Sequence, residues 1–235
     1  MPKSAQAVTS LPLDQERLQR KRALAAAIRI FARRGFEQGT AGGLSVRDPE
    51  WPDRIWSARP GVHPALVRVA DLVADDRALP PLHRAIYRDR PDVAAVVHVP
   101  STHGQAWSTL GRRLDPITAE ACAFYDDHIV DPEFAFDEAE GARIASALGR
   151  RKAAILRARG LLTVGSTIET AAWWFLAFES AIQTQMLAEA VAWPQPLDDA
   201  TARDAHDRVG SEAAGRQSFQ PLYDWIVRLE PDLLD

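Results

Sequence analysis

The chain has 235 residues, 46% of them hydrophobic and 26% charged, with a formal net charge of -4. That is enough material for one substantial core, and the mildly acidic balance gives no electrostatic reason to expect nucleic acid as a partner. A single cysteine, Cys122, excludes an internal disulfide, and the longest apolar stretch, "AAWWFLAF", is too short to cross a bilayer.

Residues 1–12 lack the apolar run of a signal peptide and read as a flexible N-terminus, which points to the cytoplasm; residues 13–235 read as a single domain. "LDQERLQRKRALAAAIRIFARRG" sets Leu18, Leu24, Ala25, Ile28 and Phe31 on one helical face and stops at Gly35. "GGLSVRD" and "DRIWSAR" read as strands joined by a turn with proline, and "ADLVADD" as a third. "PLHRAIYRDRP" is helical and closed by Pro91, "DVAAVVHV" is a buried strand, and "THGQAWSTLG" is a short helix ending at Gly111.

The second half repeats the alternation. Asp137 and Glu140 have the spacing of a capping box for "EAEGARIASAL", and "KAAILRARGLLTVG" holds two strands around Arg159 and Gly160. Ser166 and Glu169 have the same spacing at the start of a long helix that ends before Pro194. In that helix Trp173 and Trp174 point different ways and read as packing residues. A late helix contains His206, and "SFQPLYDWIVRLEPDLL" places Leu222, Trp225, Ile226 and Leu229 on one stripe for docking. Strands this close together argue for α/β layers around a mixed, largely antiparallel sheet.

His98 closes the central strand, where an imidazole can exchange protons near neutral pH. A second histidine two residues on would point the same way and could share a metal with it. Pro100 holds that place and has no donor atom.

"GTAGGLSVRD", "LHRAIYRDRPDVAAVVHVPS", "GQAWSTLG" and "AILRARGLLTVGSTIETAAWWF" together resemble the class II aldolase/adducin family, over most of the chain up to Ala192. The resemblance implies a three-layer α/β/α sandwich, usually a homotetramer with sites between subunits, in which three histidines hold a divalent ion and a glutamate moves the proton. The first family histidine falls on His98, the second on Pro100, the third on Arg159, and the glutamate on Leu79. One imidazole beside a permanent guanidinium is not a divalent site, so no metal and no other cofactor is expected. Gly43 and the pair Arg77-Ala78 stand where sugar-phosphate enzymes keep an asparagine and serines.

The constellation expected to act is His98 and Arg159, joined by Glu120 and Tyr125 from the stretch that supplies a donor across the family's interface. Arg159 keeps the positive sign of the lost metal. Arg77, His103, Gly43 and Tyr223 are candidates for holding substrate. The first functional reading is a metal-independent lyase-type enzyme acting on a small carboxylate- or carbonyl-bearing molecule by decarboxylation, dehydration, retro-aldol cleavage or cyclisation. The second is a non-catalytic, adducin-like scaffold in which Arg159 and Glu120 form an inert pair. A third rebuilds a metal site from His63, His83, His103 or His128.

Overall fold

The computed structural model describes residues 12–36, 43–75, 77, 79–134 and 138–235. The expected flexible N-terminus, the first residues of the "GTAGG" run, Ala78 and the cap at Asp137 lie outside them.

The first helix, α1, runs Leu13–Arg33, and the strands β1 (Gly43–Arg47), β2 (Ile55–Ala58) and β3 (Leu72–Val73) follow. Then come α2 (Pro81–Asp89), β4 (Ala95–His98), α3 (Thr102–Ser108), α4 (Ala119–Cys122), β5 (His128–Asp131) and α5 (Glu138–Leu148). β6 (Ala153–Leu156) and β7 (Gly160–Gly165) precede the long α6 (Ile168–Glu189), and α7 (Asp199–Val209) and α8 (Glu212–Leu229) close the fold. The strands form one 7-stranded sheet in the order β3-β2-β1-β4-β7-β6-β5. Only β5 and β6 run parallel; the other neighbours are antiparallel. This is the mixed sheet that the short connections require.

Each face of the sheet has its own core. On one face Leu44, Val46, Ala95, Val97, Ile155 and Leu161 pack beneath α1, α3, α6 and α8. On the other, Val96, Ala154, Leu156, Leu162 and Val164 pack beneath α2 and α5. All four residues of β4 are buried, so this strand reads as an unbroken apolar run ending in a histidine. Gly141 lets α5 lie hard against α2, since a Cβ there would sit 2.6 Å from the Cβ of Ala85.

Several expectations need correction. Leu18 is exposed, because α1 is covered only from Ala23 onward. The cap of α6 is Thr167, bonded to the Thr170 N–H, while Ser166 donates to Glu212 instead. Leu222 and Ile226 face the core as expected, together with Phe219, whereas Trp225 and Leu229 are exposed. Of the paired tryptophans, Trp174 is buried and Trp173 half-buried. The strand β5 was not anticipated.

His128, on β5, is held in one neutral tautomer. Its Nδ1–H donates to the Phe124 carbonyl at 2.7 Å and its Nε2 accepts the Leu114 N–H at 3.1 Å. Burial pushes its pKa down from 6.5 to about 4, against the opposing pull of the Phe124 carbonyl. The unfolded chain therefore binds a proton that the folded chain refuses between those two values, and stability is complete above pH 6.5 and lost as pH falls toward 4. Replacing His128 with Gln, whose amide can serve both backbone partners without titrating, is expected to flatten the fall in urea midpoint between pH 6.5 and 4.5 by the share of one proton.

Candidate active site

The candidate site lies at the end of β4 on the face covered by α2 and α5. Antiparallel register sets Gly43 of β1 directly opposite His98, and Ser45 opposite Val96, so these side chains share one face. The β6–β7 turn delivers Arg159 to the same end. Ala158 and Gly160, on either side of Arg159, both have left-handed backbones, with φ of 57° and 87°. A non-glycine residue in that conformation is strained, by about 1 kcal/mol or more. The turn is pinned by Arg159 N–H to the Leu156 carbonyl at 2.9 Å and by Gly160 N–H to Ser108 Oγ at 3.1 Å.

Arg159 Nη1 donates to Glu140 Oε2 at 2.5 Å, and the Glu140 side chain is only 3% exposed and that of Arg159 13%. Glu140 is the residue that sequence reasoning missed. Its spacing suggests half of a capping box with Asp137, which lies outside the described residues, and its carboxylate also meets the guanidinium. Arg159 brings its positive charge to this end of the sheet with the Glu140 carboxylate beside it. Within the chain Arg159 pairs with Glu140, whereas Glu120 is exposed on α4.

His98 Nε2 lies 3.3 Å from the Arg159 backbone carbonyl, at the long end of hydrogen-bonding range. Burial, and then the Arg159 charge, push its pKa down to about 4 in spite of that carbonyl. It is a neutral imidazole at pH 7 and not the near-neutral proton exchanger expected from its strand-end position. Beneath it His83 is fully buried, with Nδ1 2.7 Å from Ser45 Oγ, and burial followed by the neighbouring His98 lowers its pKa to about 3. Leu79 is buried in the smaller core, and Pro100 is half-buried.

The remaining candidates lie elsewhere in the chain. His103 turns to the opposite layer, where its Nδ1 and backbone N–H both meet Glu179 Oε1, at 3.0 and 2.9 Å. Glu120 is exposed on α4, beside a cleft lined by Trp173, Arg208 and Val209. Tyr125 donates to Asp199 Oδ1 at 2.9 Å. Arg77 is exposed and borders an open hollow with Trp51 and Arg54. Tyr223 is half-buried on α8 within the electrostatic reach of Arg22 and Glu169, at the far end of β7 from His98. Gly43 and His98 are the two that pair directly. His63 Nδ1 accepts the Ala65 N–H on the surface, and His206 meets Asp127 at 3.1 Å.

Comparison with known proteins gives this arrangement its setting. Residues 22–186 match the family model described as the class II aldolase and adducin N-terminal domain. The chain is 38% identical to the decarboxylase NovR of Streptomyces niveus, with 89% of this chain and 84% of that one covered. It is also 38% identical to a 4-hydroxy-3-prenylphenylpyruvate oxygenase/4-hydroxy-3-prenylbenzoate synthase of Streptomyces roseochromogenus, over 89% and 82% of the two chains. Among solved structures, an L-fuculose 1-phosphate aldolase from Glaciozyma antarctica superposes with a TM-score of 0.87 at 36% identity, covering 96% of this chain and 95% of that one. The chain belongs to the class II aldolase and adducin family.

The family's divalent ion does not fit the residues found here. Of the three positions to which the resemblance assigns its ligands, His98, Pro100 and Arg159, only His98 offers a donor, and the guanidinium of Arg159 is engaged by Glu140. Among the described residues no three His, Cys, Asp or Glu side chains converge on a common point. His128 cannot rebuild the site, since both its nitrogens are bound to backbone.

The buried Glu140–Arg159 pair should behave as a unit. Glu140→Ala is expected to cost about 3 kcal/mol, because it strands a charge that has little access to water. The double variant with Arg159→Ala should cost less than the two single changes added, by about 1 kcal/mol or more, in urea unfolding.

Proposed function

We propose that the His98–Arg159–Glu140 pocket breaks a carbon–carbon bond next to a carbonyl group in a small carboxylate, by decarboxylation and without a metal ion. The chain is a lyase-type enzyme: two relatives matched over most of its length bear decarboxylase and synthase names. The observation that supports the finer reading is a guanidinium, backed by a buried carboxylate, standing where the family's third histidine falls.

In this reading the carbonyl oxygen of a 3-oxo carboxylate lies against Arg159. The bond between the carboxylate carbon and its neighbour breaks, carbon dioxide leaves, and the electron pair moves through the new double bond onto the carbonyl oxygen as an enolate. The guanidinium stabilises that oxygen as charge develops. Water then returns one proton to the enolate carbon. The alternatives ask for more: retro-aldol cleavage must take a proton from a hydroxyl, and dehydration from a carbon. His98, with its pKa near 4, is too weak a base for either, and Leu79 offers none. Decarboxylation needs no base at all.

Glu120 and Tyr125 belong to this reading only through assembly, because in their own chain they sit in the layer opposite His98. In a homotetramer they serve the pocket of a neighbouring subunit. If Glu120 takes the place of water in returning the proton, two impaired variants, Arg159→Ala and Glu120→Gln, should regain activity when mixed and reassembled. Light scattering that shows a monomer removes both residues from the site.

The central test is release of carbon dioxide from a panel of 3-oxo carboxylates by protein dialysed against a chelator. Turnover is expected to survive dialysis. Arg159→Ala should lower kcat/KM by about 10- to 100-fold, the worth of a charge-assisted hydrogen bond, and Arg159→Lys should restore only part because it lacks the planar fork. Activity that disappears with the chelator and returns with stoichiometric zinc, iron or manganese overturns the metal-independent reading.

A further inference from the structure

Under His98 runs a short chain of polar atoms that the reaction outlined above does not use. Ser45 Oγ is 2.7 Å from His83 Nδ1 and 2.9 Å from Tyr87 Oη, and all three residues are buried. His83 Nε2 is likewise buried and has no hydrogen-bond partner among the described residues. Buried polar atoms in folded proteins are nearly always paired, so one left over asks for a reason.

Counting hydrogens fixes what kind of atom it is. Tyr87 and Ser45 each have one hydroxyl hydrogen, and a neutral imidazole has one N–H. If Tyr87 donates to Ser45 and Ser45 donates to His83 Nδ1, every hydroxyl hydrogen is used and the imidazole hydrogen sits on Nε2. If instead His83 Nδ1 donates to Ser45, a hydroxyl hydrogen and an Nε2 lone pair are both stranded. The first arrangement strands one group and the second strands two, and buried polar groups are kept paired as far as the geometry allows, which selects the first. The leftover group is therefore a donor, and an N–H donor cannot ligate a cation.

The position of this donor is set by the sheet. Ser45 and His98 lie on one face of neighbouring strands, and Gly43 between them is directly opposite His98. A Cβ added to Gly43 on that face would meet no described atom within 4 Å.

We propose that the Nε2–H of His83 is a second catalytic donor, one that holds the substrate's carbonyl oxygen from beneath while Arg159 holds it from the side. This rests on the proposed decarboxylation, whose enolate oxygen is the acceptor such a donor fits. A neutral imidazole is suited to the task, since it can donate to an oxyanion without giving up its proton. The ring has no exposed surface, so the oxygen reaches it as His98 and Arg159 part around the bound substrate. Their mutual contact, at 3.3 Å, is loose enough to yield.

The test uses full-length protein labelled with 15N in its histidines, and oxalate as a planar dianion that mimics an enolate beside a carboxylate. Long-range nitrogen–proton correlation spectra should show His83 as the Nε2–H tautomer, with that proton moving downfield as oxalate saturates the site. His83→Phe, checked for folding by its melting transition, should weaken oxalate binding at least 10-fold, and Ser45→Ala by a smaller factor as the tautomer is released. A His83 ring protonated on Nδ1, or an Nε2 proton that ignores saturating oxalate, overturns the inference in the wild-type protein whatever the variants do. Oxalate binding that is lost in Arg159→Ala but unchanged in a folded His83→Phe overturns this donor and leaves the proposed function standing. A His83 that responds to oxalate in a protein that releases no carbon dioxide from any 3-oxo carboxylate does the reverse.

Discussion

The pairing of β4 with β1 on one side and β7 on the other is the constraint on which the site depends. A strand alternates its side chains, so a slip of one residue would send His98 into the larger core and Val97 into the pocket. Nothing in β4 itself forbids the slip, since all its residues are buried. The register is held from outside: Leu44 and Val46 must face α1 and α6, while Ser45 must meet His83 and Tyr87. A polar residue between two apolar ones on β1 thus sets the phase for three strands. Because β7 is tied to β4 through Ala95–Gly165 and Val97–Thr163, the turn preceding β7 and its Arg159 are placed by the same choice.

The pair formed by Arg159 and Glu140 adds a second constraint of a different kind. Burying two charges is repaid only when they meet with good geometry, and an apolar pair of the same size would usually be at least as stable. Keeping a buried guanidinium at the end of a strained turn is therefore poorly explained by stability alone. The proposed reaction supplies a reason, since it needs charge at that point and Glu140 holds the guanidinium in place. The pairing also keeps an isolated positive charge out of an apolar layer.

Much of the scaffold was legible from local pattern. The unbroken apolar run into His98, the glycine and proline stops at Gly35 and Pro91, and the two strands flanking Arg159 all mark elements through backbone chemistry that acts within a few residues. What was not legible depended on partners far along the chain. Glu140 reaches Arg159 across 19 positions, and no spacing rule connects them. The cap of α6 moved by one residue because Ser166 found Glu212 from α8. β5 is four residues long and follows directly on a turn, so it offers too little periodicity to see; its parallel pairing with β6 supplies the order that the sequence lacks. The pKa of His98 was misread because burial and a neighbouring charge are properties of the folded pocket.

These corrections change which chemistry the pocket suits. The resemblance assigns an aldolase's proton carrier to Leu79 and two of its metal ligands to Pro100 and Arg159, and none of these three side chains can do that work. What stands in its place consists of donors: a guanidinium and two imidazoles held neutral by burial. Donors can stabilise negative charge on oxygen but cannot create it by pulling off a proton. A reaction that generates its own carbanion by losing carbon dioxide asks for that kind of help and no more. That asymmetry, donors without a base, is the physical argument for proposing decarboxylation here.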